Sequence, residues 1–535
     1  SRRNFFQLAA AGAAAAAATG CQPKGQGGIV PYTRRPTEVV PGVANHYATA
    51  FQEGTRVYPL LVKTREGRPI HVTGNDEHPG FKGKTSPRAM ADLLRLYDPD
   101  RLRQPAAKGR PLTWPDAEAK LLEGVKAAKA ASKRILLLTG ALASPTRRAL
   151  VADLRRAEPA LDHLAWEPAA GDARLAAARA SYGAPVDVKP RLDRAKVILS
   201  FACDFLNGED PEAVGGYAAQ RRLGHPGEAI SRLWQFEGAM TLTGSNADQR
   251  IPVRPSQLGA VAFALARDLH ARHGVALPAG ADLSGVPAGI PAGVPADLWE
   301  RLLQDLRAAG RDAAVLSGPQ APAAAQQGAH LLNAMLGSTA VELHPAEALA
   351  SAAEVEAALG SGRYGAILCW GANPAYALDR PEAWKGAAAQ VPFIAWIGVL
   401  PDETAATAHL SLPENHWLES WNDFEAGSHL ALQQPTIAPL YGTRQGEDLL
   451  LGLLKGLGGT APADYPAYLR ARWSREVHPA GAPVPFDRYV QAALHDGVVP
   501  LVRTAAAPAF QASSVAAAVR LSGAAAAGFE LELFP

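Results

Sequence analysis

Cysteine is nearly missing from this chain: in 535 residues only Cys21, Cys203 and Cys369 occur, and no two share a CxxC or comparable ligand spacing. A cysteine-held iron–sulfur cluster takes about four thiolates, so these residues cannot hold one alone. An odd thiol count, in a chain long enough to bury its own cores, also excludes a disulfide framework. Cys203 and Cys369 are expected in buried strands as small hydrophobes. An excess of one charge is missing as well. Lys and Arg number 53 against 51 Asp and Glu, a net charge of +2, which supplies neither the field of a nucleic-acid binder nor the repulsion of an unfolded chain. No nucleic-acid partner is expected. Aromatic residues make up only 7%, and no stretch reaches the ~18 consecutive apolar residues of a membrane span. What is plentiful is Ala, together with 50 Gly and 43 Pro, the composition of a globular chain with many turns, and its length fits about three or four domains.

The N-terminus differs from the rest. Arg2 and Arg3 precede Phe5, Phe6, Leu8 and a small apolar run over 9–18, followed by Thr19, Gly20 and Cys21. Twin arginines before a mildly apolar stretch form the address of the twin-arginine export route, and Cys21 stands where a lipoprotein accepts its lipid. An Ala-rich helix in which Cys21 has no role remains the alternative. Residues 1–21 are therefore expected to be an export signal, and the protein to sit at the periplasmic face of a bacterial inner membrane with Cys21 as a candidate anchor. Residues 22–110 should form an extended segment and a small β unit, with strands over 57–64 and 69–73 joined at Glu66 and Gly67.

From residue 111 the pattern changes to helices alternating with short apolar runs. A helix over 115–129 leads to a strand over 135–138. Ser144 then caps a helix that has Pro145 at its first position and Leu150, Val151 and Leu154 turned inward. Further strands are expected over 197–199, 314–316, 366–369 and 393–397, with a helix over 319–336. Uninterrupted apolar strands between helices belong to parallel sheets covered on both faces. The expected fold is thus α/β, with two doubly wound parallel-sheet units over 111–275 and 296–460 divided by a Gly-, Pro- and Ala-rich stretch at 275–295, an exposed linker or a long loop. A C-terminal extension over 461–535 should end in a strand from Phe529.

Loops at strand ends are where such sheets bind ligands. The turn Gly371, Ala372, Asn373 and Pro374 offers a close backbone approach and an amide, though taken alone a plain structural turn explains it better. His409 and His416 are candidate ligands or bases, but no paired carboxylate or cysteine accompanies them in sequence.

The order of segments says more than any one of them. Tyr97 to Leu102, Gly109 to Trp114, the Gly371 to Pro374 turn, and Leu412 and Pro413 before Trp417, Leu418 and Glu419 resemble the molybdopterin oxidoreductase family from front to back. Ile29 to Tyr32, His46 to Ala50, Gly74 to Pro79, Leu242 to Gly244 with Asp248 and Arg250, Asp402 to Ala406, Glu419 to Trp421 and Gln434 to Gly442 are similar to the molybdopterin-oxidoreductase-like subunits of alternative complex III, a quinol-oxidising bacterial respiratory assembly. The resemblance implies interleaved domains, membrane-embedded and cytochrome c partner subunits that handle the quinol, and iron–sulfur clusters in a C-terminal region beyond these residues. Active relatives carry a cysteine motif near their start, and here 31–86 has no cysteine. The first pterin loop is represented by Phe201 to Asn207, without the Gly-x-Asn-Pro of the other unit, while Gly371 and Asn373 mark a vestigial second one. The expectation is a non-catalytic scaffold with no cofactor or metal of its own. Two alternatives stand beside it: an active molybdopterin enzyme acting on a small oxyanion or sulfur compound, with Ser144 or Asp204 on the metal, and a periplasmic binding protein.

Overall fold

The computed structural model describes residues 40, 42–207, 210–225, 229–479, 481–501, 508–522 and 528–532. Arg2, Arg3 and Cys21 lie outside the described residues. The centre is a seven-stranded sheet in which five parallel strands stand in the order Leu410–Pro413, Phe393–Gly398, Tyr364–Trp370, Arg134–Thr139 and Leu161–Ala165. The short strands Ala106–Ala107 and Arg110–Pro111 extend it antiparallel beyond Leu410.

The apolar runs are explained by where alternate side chains go. Ile135, Leu137, Ala366, Leu368 and Ile397 join one core with Leu150, Val151 and Leu154 of helix Pro145–Ala157. Leu136, Leu138, Ile367, Cys369 and Trp396 join a second core on the opposite face, beneath Val355 and Trp384. Each fully buried Leu or Ile adds about 1.5–3 kcal/mol relative to exposure, so a strand buried on both faces has no position for a polar residue without a partner.

A four-stranded parallel sheet follows the same logic, in the order Gln249–Pro252, Arg232–Glu237, Val197–Phe201 and Ala313–Ser317. Val197, Leu199 and Phe201 face one core and Ile198 the other. Strands Val186–Pro190 and Val341–Pro345 pair antiparallel beside it. A three-stranded antiparallel sheet, Asn45–Glu53, Arg56–Arg65 and Arg68–Gly74, packs on a second one built from Asn422–Ala426, His429–Gln433 and Val498–Pro500. The turn of its hairpin lies at Glu66 and Gly67, with φ values of 49° and 77°.

Four sequence expectations are corrected. The units 111–275 and 296–460 do not coincide with the sheets, because the seven-stranded sheet takes strands from both and the four-stranded sheet takes Ala313–Ser317 from the second. The domains are interleaved. Residues 275–295 carry no helix or strand, yet Leu277, Leu283, Val286 and Ile290 pack on the core of the four-stranded sheet, so this segment is a packed coil and not an exposed linker. Cys203 lies half-buried just after strand Val197–Phe201 rather than in it, whereas Cys369 is buried inside Tyr364–Trp370. Residues 528–532 form no strand; Glu530 accepts from Ser256 N–H at 3.0 Å and Glu532 from Ala239 N–H at 3.1 Å.

Candidate functional site

The parallel strands of the large sheet end at Thr139, Ala165, Trp370, Gly398 and Pro413, and the crevice outside those ends is the ligand position of open α/β sheets. Two of the loops there touch backbone to backbone. Gly140 N–H donates to Trp370 O at 3.0 Å, and a Cβ on Gly140 would stand 2.6 Å from Gly371 O. Gly371 itself has φ +65°, which glycine adopts without strain. Asn373 follows with its side chain fully engaged: Nδ2 donates to Glu403 Oε2 at 2.7 Å and Oδ1 accepts from Thr404 Oγ1 at 2.7 Å.

Next to this turn lies a polar cluster assembled from distant segments. Ser144 Oγ accepts from Arg147 N–H at 2.9 Å as the helix cap and donates to Asp423 Oδ1 at 2.7 Å. Asp423, fully buried, also accepts from Thr146 Oγ1 at 2.6 Å, Thr146 N–H at 3.3 Å and Trp473 Nε1 at 2.9 Å. Arg147 reaches from the same helix to Glu447, its guanidinium 5.1 Å from the centre of the Trp370 ring. Glu447 also accepts from Asn422 Nδ2 at 2.8 Å, Asn422 Oδ1 accepts from Tyr465 OH at 3.0 Å, and Glu447 Oε2 is buried without a partner. Trp370 Nε1 donates to Glu414 Oε1 at 2.9 Å. Burial, followed by the charge of Glu447, pushes the Glu414 carboxyl up to about 7. Burial and the neighbouring Glu447 and Asp423 push the Tyr465 phenol well above its ordinary value, which makes it a donor and not a base.

The pyrophosphate of a pterin dinucleotide needs N–H donors and positive potential, and two backbone donors beside the four-stranded sheet are already engaged by carboxylates. In the four-stranded sheet Asp204 Oδ1 accepts Thr243 N–H at 2.8 Å, and Glu237, fully buried, accepts Thr241 N–H at 3.2 Å, Thr241 Oγ1 at 2.7 Å and Arg250 Nε at 2.6 Å. A Cβ on Gly244 would lie 1.8 Å from Glu237 Oε1, and one on Gly318 would lie 1.9 Å from Ala202 O. Backbone and carboxylate crowd the first loop, and in the second Glu403 and Thr404 hold the Asn373 side chain. Ser144 and Asp204 are not placed as metal ligands, because each is engaged by the chain itself, and among the described residues no three His, Cys, Asp or Glu side chains gather in a metal-holding group.

His409 and His416 do not join the cluster's hydrogen bonds. His409 Nδ1 accepts from Ile394 N–H at 3.1 Å, and His416 bridges Asp92 Oδ2 at 3.2 Å and Leu418 N–H at 3.3 Å. Sequence reasoning found Ser144 and the Gly371 turn but missed Glu414, Asp423, Glu447 and Tyr465, which share no motif and meet only through the fold.

No family model matches the chain. The menaquinone reductase molybdopterin-binding-like subunit of Nitratidesulfovibrio vulgaris (strain Hildenborough) is 26% identical over 453 residues, covering 75% of this chain and 63% of that protein. The chain thus spans less than two thirds of that relative's length. Among solved structures, acetylene hydratase from Pelobacter acetylenicus superposes with a TM-score of 0.59 at 11% identity, over 77% of this chain and 69% of that one. In sequence the chain is similar to a molybdopterin-binding-like subunit, and in fold to acetylene hydratase.

Proposed function

We propose that this chain is a non-catalytic scaffold subunit of a quinone-linked respiratory complex, of the alternative complex III kind. One observation carries the reading: the chain resembles a molybdopterin-binding-like subunit of a menaquinone reductase, while Thr243 N–H, Thr241 N–H and the Asn373 amide are taken by Asp204, Glu237 and Glu403. On this reading quinol is handled by membrane-embedded partners, a cytochrome c subunit accepts the electrons, and iron–sulfur clusters are carried by polypeptide outside these residues. The chain sits at the periplasmic face after export through Arg2 and Arg3, with Cys21 as the anchor.

The test is purification of the tagged protein from native membranes, with metal analysis and identification of what comes with it. Integral membrane and haem c subunits, quinol oxidation by the assembly and only trace molybdenum are expected. Near-stoichiometric molybdenum with bound guanine nucleotide would replace the scaffold with an active enzyme. Replacing Cys21 with Ala and following membrane retention tests the anchor separately.

A further inference from the structure

A large hollow lies away from the crevice, across the amino ends of the large sheet's strands. It has a volume of about 1110 Å³ and runs between helix Trp114–Ala130 and helix Pro381–Gln390. Its charge is one-sided. Lys108, Arg110, Lys120 and Lys133 line it against the single carboxylate Glu123. Lys133 Nζ donates to Gly362 O at 2.8 Å, and Lys108, Arg110 and Lys120 have no ion-pair partner among the described residues. The rest of the lining is mostly apolar or small, with Leu112, Val391 and Phe393 beside Gly124 and Ala127, and Tyr364, Gln390 and His409 as its uncharged polar groups.

The groove offers little for backbone recognition. Arg134 N–H is held by Arg363 O at 3.0 Å, His409 N–H by Ile394 O at 2.8 Å and Lys108 N–H by His409 O at 3.3 Å. An added peptide strand would find only the two-residue edge Arg110–Pro111, where Pro111 has no N–H to give. A bare anion would leave the apolar floor wet, and a neutral lipid would leave the cations unused. We propose that this groove is a binding site for an amphipathic anion, an acyl lipid whose single negatively charged head rests on the Lys108, Arg110, Lys120 and Lys133 rim and whose tail lies over Phe393. The inference is independent of the respiratory reading.

The experiment is a calorimetric titration of the full chain with lysophosphatidylglycerol below its micelle concentration, beside lysophosphatidylcholine, AMP and inorganic phosphate. Lysophosphatidylglycerol is expected to bind at least about tenfold more tightly than each of the others, and more weakly at high salt. The triple replacement K108S/R110S/K120S should weaken it at least about tenfold. A127W, which narrows the groove, should abolish tail-dependent binding; if that variant fails to fold, A131W at the cap just after the same helix serves in its place. Equal affinity for lysophosphatidylcholine, for phosphate or for AMP would overturn the proposal, as would unchanged affinity in the charge variant or in the folded floor variant.

Discussion

Asp423 is the residue on which the crevice cluster depends, because three side chains and one backbone N–H from two distant helices converge on its carboxylate. D423A leaves Ser144, Thr146 and Trp473 as buried donors without an acceptor and should cost at least about 3 kcal/mol, read as a lowered urea midpoint together with altered tryptophan fluorescence. D423N keeps the shape and one acceptor oxygen, so an intermediate loss is expected. Glu414 makes a different prediction. Its carboxyl keeps its proton to about pH 7 in the folded protein, whereas in the unfolded chain it releases it near ~4.3. Between those values the folded state binds more protons, so stability falls as pH rises, by at most about 1.4 kcal/mol per pH unit for this group. E414Q should flatten that part of the profile. Parallel melting curves for the two proteins between pH 4.5 and 7 would show that Glu414 does not titrate there.

At the scale of elements, close approach decides which glycines matter. G140A drives a methyl to 2.6 Å from Gly371 O and should destabilise by about 1–3 kcal/mol, while G360A, whose Cβ would meet nothing within 4 Å, should stay within about 0.5 kcal/mol. Thermal melts of the pair separate contact from propensity. The same distinction explains which elements the sequence revealed. Arg134–Thr139 and Tyr364–Trp370 were legible because burial on both faces leaves an unbroken apolar run, and the cap at Ser144 because Pro145 follows it. Asn45–Glu53 was not legible: Asn45, His46, Thr49, Gln52 and Glu53 break the alternation, and part of its packing comes from Phe424 and Ala431, far along the chain. The crevice acids escaped for the same reason, since nothing near Glu447 in sequence indicates that Arg147 and Asn422 meet it.

For the whole molecule the interleaving of the sheets sets the cooperativity. A protease site inserted within 280–293 should give two fragments that stay together on gel filtration, because cutting there leaves the seven-stranded sheet intact with strands from both sides. Once separated in denaturant, neither fragment alone should regain a cooperative melt, and the mixed fragments should. Independent refolding of either fragment would contradict shared sheets. The sheet also has a consequence in time. Strand Arg134–Thr139 lies beside Tyr364–Trp370, which leaves the ribosome roughly 230 residues later, or roughly 10–50 s at ordinary synthesis rates. For that interval one of the most apolar segments of the chain waits with an open edge, so the protein's yield in a cell is governed by what shields that strand before its neighbour is made.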